Sequence, residues 1–253
     1  MAMFTVRPYP PRSPGRIGAR SDIPCSDYKT AGFGEPGPMM LIIAPLLILA
    51  GVLLRLPFDF FFPAQLAAYR DHPALLTTCY SLFLLGNVLM WPAVAALSRK
   101  IASPWGVWGG ALAMFGLFAR TFHAGVDHLA FQLARVQGVE AATDAVAESY
   151  GAFHVMSTFS AAIMFGWIVL AIGAYRAKVL GLVGSVALGL MATMPLGVLK
   201  GTTWFSVLAA AGLCIALVPL GIRTLREGPR PSWKTVAIVT LTAVAMFILG
   251  RFG

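Results

Sequence analysis

The run WGVWGGALAMFGLFA, residues 105–119, leads without a break into RTFHAGVDHLAFQ, residues 120–132. The first part is apolar and rich in small residues, as in a helix packed inside a membrane protein. The second part sets Arg120, His123, Asp127 and His128 on the continuation of the same helix. A charge deep in a bilayer costs from about 3 to over 10 kcal/mol, so ionisable residues on a spanning helix usually mark a site. This one stretch therefore decides the fold class, a membrane helix bundle, and says where in it to look for function.

The rest of the chain agrees. Hydrophobic residues make up 58% of it and charged residues 11%, against roughly half and a quarter in soluble domains. Such a surplus of apolar surface needs a bilayer around it. Several segments approach the roughly 20 apolar residues that cross one. The expectation is an all-α, polytopic transmembrane bundle of about seven spans, a single domain over residues 39–253, in the inner (plasma) membrane, multi-pass. The lipid bilayer is then its first partner, and the net charge of +9 reads as a topology signal. No aromatic and basic residues alternate in the way that would suggest nucleic acid. Cys25, Cys79 and Cys214 are too far apart for a disulfide framework or a cysteine-based zinc motif.

Residues 1–38 are rich in Pro, Gly, Ser and Arg and are expected to be disordered. Met39 and Met40 stand directly before the first apolar run and offer a second start. Span one is expected over about 40–56, followed by RLPFDFFFP, residues 55–63, whose prolines and phenylalanines suit an interfacial segment or a broken helix end. Span two follows at about 73–98. Span three starts at Ser103-Pro104, a cap followed by proline in the first helical position, and runs to about Phe131. Glu140, Asp144 and Glu148 recur every fourth residue and predict a wet helix with one acidic face, leading into span four at about 150–175. Spans five, six and seven fall at about 179–199, 203–222 and 233–249.

With seven spans, the basic residues before span one, at Arg99-Lys100, at Arg176 and Lys178, and from Arg223 to Lys234 all fall on one side. The positive-inside rule puts that side, and the N-terminus, in the cytoplasm, with the C-terminus extracytoplasmic. All four histidines then collect on the outer side, with Arg55, Asp59 and Lys200.

At 100° per residue Arg120, His123 and Asp127 fall within about 60° of one another on span three. Tyr150 and His154 are expected at matching depth on span four. His123, Asp127, His154 and Tyr150 are thus the candidate catalytic groups, and Arg120, Asn87 and His128 the candidate substrate-binding groups. Three chemistries suit this set. Acid–base catalysis would use a histidine oriented by Asp127, with Arg120 holding an anionic group. A divalent metal such as zinc would need His123, Asp127 and His154 as an open three-ligand site. Haem would need His123 and His154 as axial ligands. A plainer alternative makes Arg120 and Asp127 a buried structural ion pair. The small-residue rows Gly106/Gly110 and Gly181/Ser185/Gly189 suggest close internal helix packing.

The chain has no phosphate-cradling loop, no HExxH and no GxSxG. The functional expectation is an outward-facing membrane-embedded enzyme for a hydrophobic, lipid-like or isoprenoid-like substrate. The alternative is a proton-coupled transporter or an antibiotic-type immunity protein using the same residues without bond breaking.

Overall fold

The computed structural model describes residues 37–228 and 233–250. Residues 1–36, with Cys25 and nearly all of the segment expected to be disordered, lie outside the described residues. Regular structure among the described residues is entirely helical. In chain order it comprises α1 (Gly37–Leu54), α2 (Phe62–Asp71), α3 (Pro73–Ile101), α4 (Pro104–Gln137), α5 (Val139–Ser149), α6 (Met156–Arg176), α7 (Leu182–Gly189), α8 (Trp204–Glu227) and α9 (Trp233–Leu249). A single 3-10 turn, Leu190–Thr193, extends α7.

Helices α1, α3, α6 and α8 are long and apolar enough to cross a membrane. Large apolar side chains such as Leu46, Trp108, Phe165, Leu208 and Ile215 stand exposed on the bundle's outer surface, as lipid-facing residues do. Helix α4 is the longest, 34 residues, or about 51 Å at 1.5 Å per residue. It begins at Pro104 behind an extended Ser103, as the cap and proline predict, but runs six residues beyond Phe131.

Three other expectations are corrected. Gly37 and Pro38 belong to α1 rather than to a disordered segment. Tyr150 and His154 precede the fourth long helix, because α6 starts only at Met156. The largest correction concerns the fifth span, which is not a continuous helix over 179–199. Its helix stops at Thr193, and residues 194–203 run as irregular backbone to α8. Pro195 explains the stop, since it has no N–H for the helix ladder and disfavours helical geometry in the residue before it. Gly197 (φ 131°) and Leu199 (φ 49°) then turn the chain. Helix α8 restarts with a capping box in which Thr203 and Ser206 exchange side-chain and backbone hydrogen bonds.

The long helices pack antiparallel. Gly51 of α1 lies against Cys79 and Phe83 of α3, and Gly37 against Ala96. Gly110 of α4 lies against Ser98 and Val94 of α3. Gly221 of α8 lies against Pro38, Leu41 and Ile42 of α1, while Thr202, just before α8, donates to Val52 O at 2.9 Å. Helices α3, α6 and α8 therefore end together, gathering Arg99, Lys100, Arg176, Arg223 and Arg226 at one end of the bundle. The opposite end carries Arg55, Lys200 and the second half of α4. There α2 and α5 form a cap, burying Phe62, Leu66 and Tyr69 of α2 and Ala142 and Val146 of α5 with Phe131 and Leu199. The acidic stripe of α5 faces outward, with Glu140, Asp144 and Glu148 exposed.

The tightest packing joins α4 to α6. A Cβ at Gly116 would fall onto Ile163, and one at Gly166 onto the backbone of Ala113. Glycine here lets the two helices touch backbone to backbone, where burial of small residues does the work that larger side chains do elsewhere. Gly166→Ala is expected to force them apart at a cost of about 1–3 kcal/mol, the range for overpacking. Thermal unfolding in detergent checks this, with Gly125→Ala as the control, because a Cβ at Gly125 meets nothing within 4 Å.

Candidate functional site

Arg120, His123 and Asp127 occupy one face of α4 and are all buried. Arg120 and Asp127 do not pair with each other. Neither takes part in an ion pair among the described residues, unlike the exposed Arg70–Asp71 and Arg223–Glu227. Both instead reach the broken segment after α7. Arg120 donates from Nη1 to Pro195 O and from Nη2 to Met194 O, each at 3.3 Å. Leu199 N donates to Asp127 Oδ1 at 2.6 Å. Breaking a helix frees carbonyls and amides that lipid cannot satisfy, so irregular backbone at membrane depth needs protein partners. A guanidinium for the carbonyls and a carboxylate for the amide supply them. The structural-pair expectation is thus corrected in its partners.

Other groups anchor the same segment. Arg55, just past α1 and buried, donates from Nη1 to Lys200 O at 3.4 Å. Gly201 N donates to Phe60 O at 2.7 Å. Gly201 has to be glycine, because a Cβ there would meet Gln65 Nε2 and the backbone of Asp59 and Phe60. Gln65 in turn donates to Asp59 O at 2.5 Å and accepts from Tyr80 Oη at 3.0 Å.

These groups enclose a small cavity of about 40 Å³, lined by Arg55, Tyr80, Phe83, Arg120, His123, Asp127, Lys200 and the 194–197 turn. At 10–15 Å³ per water centre it has room for about three waters. Phe83 lies close to two cations, with the Arg55 guanidinium 4.8 Å and that of Arg120 5.8 Å from its ring centre. The Arg55 guanidinium also lies 4.5 Å from the Tyr80 ring centre. A larger cleft of about 420 Å³ lies between α3 and α4, lined by Tyr69, Thr77, Ser81, Leu84, Gly125, His128, Phe131 and Gln132. The cavity and the cleft share Tyr80, Ala124 and Asp127 in their walls. The cleft's volume falls within the range for small-molecule sites.

The remaining expected site residues fall as follows. His154 lies near His123, ring centres 6.2 Å apart and edge to face, with Phe122 4.7 Å from His154. His154 lines neither cavity, and its Nδ1 is buried without a hydrogen-bond partner. No group of three or more His, Cys, Asp or Glu among the described residues is placed to hold a metal. The proposed ligand set of His123, Asp127 and His154 is therefore not assembled: Asp127 turns to Leu199, while His154 packs edge to face with His123 and against Phe122. The haem pairing finds no support either, since neither cavity reaches His154. His128 is exposed on the cleft wall. Asn87 is buried but bonds back to Phe83 O of its own helix at 2.7 Å and lines neither cavity. Tyr150 is exposed and stacks on Phe62 at 5.6 Å, next to Phe61. It belongs to the cap rather than to the site.

Arg55, Tyr80 and Lys200 are functional candidates that sequence reasoning did not select. Arg55 and Lys200 carried a signal, a lone cation at each of two helix ends on the same side. Tyr80 carried none apart from its place in an apolar helix. Compared with protein-family models, with curated proteins and with solved structures, the chain matches none.

Proposed function

We propose that this chain is a seven-passage inner-membrane protein, N-terminus cytoplasmic and C-terminus outside, with an outward-facing pocket that performs acid–base chemistry on a lipid-like substrate. In this account the seven passages are α1, α3, α4, α6, the broken α7 segment, α8 and α9. The observation that carries the functional part is the junction of an apolar cleft with a polar cavity at Tyr80, Ala124 and Asp127. A substrate entering from the bilayer would lie in the cleft and present its polar end to His123. That imidazole has no hydrogen-bond partner among the described residues, so both of its nitrogens are available to take or give a proton. Arg120 and Asp127 act on it indirectly, by holding the backbone that forms the opposite wall.

A proton-coupled transporter needs polar groups continuing toward the basic end of the bundle. Below the cavity, α1, α4 from Trp105 to Ala119 and α6 from Ile163 to Ala174 carry no Asp, Glu, Lys, Arg or His. This favours an enzyme over a relay. The test is reconstitution into liposomes of bacterial lipid extract doped with polyprenols, followed by mass spectrometry of the lipids. Wild-type protein is expected to generate a product that His123→Ala, equally well folded, forms at least about a hundredfold more slowly, the lower range for general acid–base catalysis. A wild-type protein that converts nothing but dissipates a pH gradient in a His123-dependent way would replace the enzyme with the transporter.

A further inference from the structure

The cavity holds more positive charge than its protein partners balance. Arg55, Arg120 and Lys200 line it, and Asp127 is its single carboxylate. Neither arginine lies within ion-pair distance of a carboxylate among the described residues. Both are buried, with 5% of Arg55 and 7% of Arg120 exposed. The Nε of each is buried and has no hydrogen-bond partner. Arg120 spends its two terminal nitrogens on Pro195 O and Met194 O, and Arg55 one of its own on Lys200 O, so carbonyl dipoles, the Tyr80 and Phe83 ring faces and the one carboxylate of Asp127 are what offset three cations. Burying unpaired guanidinium groups is costly, and arginine is the side chain best shaped to take two oxygens of a phosphate or carboxylate. An anion carrying up to two negative charges would balance the set.

We infer that Arg55, Arg120 and Lys200 cradle the phosphate group of an amphiphile whose apolar chain lies in the α3/α4 cleft. The size of the two spaces carries the choice of ligand. A cavity of about 40 Å³ takes one compact anionic group, while the adjoining cleft of about 420 Å³ presents mostly apolar surface, with Tyr69, Leu84 and Phe131 among shorter polar residues such as Thr77, Ser81 and Thr121. Phosphate offers several acceptor oxygens to donors approaching from α4, from the turn after α1 and from the 194–203 segment, where a carboxylate offers two. Phe83 and Tyr80 hold the planar Arg55 guanidinium in place by packing against it. Lys200, half-buried at the rim and 5.8 Å from the Phe60 ring centre, is the cation free to move onto an arriving ligand. The inference rests on the proposal that the cleft admits the substrate, and it names the class of that substrate.

The experiment uses detergent-purified full chain and three probes: farnesyl phosphate, farnesol and inorganic phosphate, with binding read by thermal shift and by calorimetry. Farnesyl phosphate is expected to bind at least about tenfold more tightly than either of the others. Lys200→Gln and Arg55→Gln are each expected to weaken it by about tenfold, the loss of one charge-assisted contact. Arg223→Gln, on the exposed surface far from the cavity, leaves it unchanged. Where Arg55→Gln fails to fold, Lys200→Gln carries the test. Equal binding of farnesol and farnesyl phosphate overturns the cradle. Inorganic phosphate binding as tightly as farnesyl phosphate, and lost in Lys200→Gln, assigns the cavity to a free anion and overturns the amphiphile. Farnesyl phosphate bound normally by a protein that converts no lipid would sink the catalytic proposal and leave the cradle standing.

Discussion

Arg120→Met is expected to lower the melting temperature in detergent by about 5–15 °C. The methionine fills the space of the arginine stem but donates nothing to Met194 O or Pro195 O, which are left where α7 breaks. Each bond from a charged donor contributes about 1.5–3 kcal/mol. Both are long at 3.3 Å, so the lower half of that range applies, about 3–4 kcal/mol together. For a chain of this size each kcal/mol moves the transition by about 2–4 °C. Arg120→Lys keeps one donor of the two and should fall between. An unchanged melting temperature in Arg120→Met would mean that the guanidinium serves the cavity alone.

The second large effect separates two roles of Asp127. Its Oδ1 accepts from the amide of Leu199, a buried non-glycine residue at φ 49°. Left-handed geometry in such a residue costs about 1–3 kcal/mol and persists only where its surroundings hold it. Asp127→Ala removes the acceptor and is expected to cost about 2–4 kcal/mol. Asp127→Asn keeps an acceptor oxygen at the same place and should stay within about 1 kcal/mol of wild type. Its lipid-converting activity should also survive, because the account gives Asp127 a backbone to hold and no proton to move. An Asn variant that folds normally but is inactive would make the carboxylate catalytic.

The positions of the long helices were legible because apolar length is a coarse quantity that survives tertiary packing. Ser103-Pro104 and Thr203 marked two helix starts to within a residue. The break after Thr193 was hidden, because residues 179–199 are apolar nearly throughout. Pro195 alone reads as a kink that membrane helices commonly tolerate. Only the pairing of Pro195 with Gly197, together with Arg120 and Asp127 set seven residues apart on a largely apolar α4, could have pointed to an unwound segment needing polar partners. Helical periodicity was enough to put Arg120, His123 and Asp127 on one face. It could not place Tyr150, because the loop before α6 keeps it in the cap, nor find Arg55, Tyr80 and Lys200. These converge only once α1, α3 and the 194–203 segment meet.

The central claim is that the fifth passage breaks at Pro195 and opens its far end to the outside as one wall of the pocket. It is tested most directly by thiol labelling in intact cells and inverted vesicles, with Cys25, Cys79 and Cys214 replaced by alanine. Leu196→Cys, in the cavity wall, should react with a small anionic, membrane-impermeant methanethiosulfonate from outside only. Arg176→Cys, at the basic end, should react from inside only. Reaction of Leu196→Cys from the inner side alone, or its protection from both sides as in an unbroken buried helix, would contradict the account.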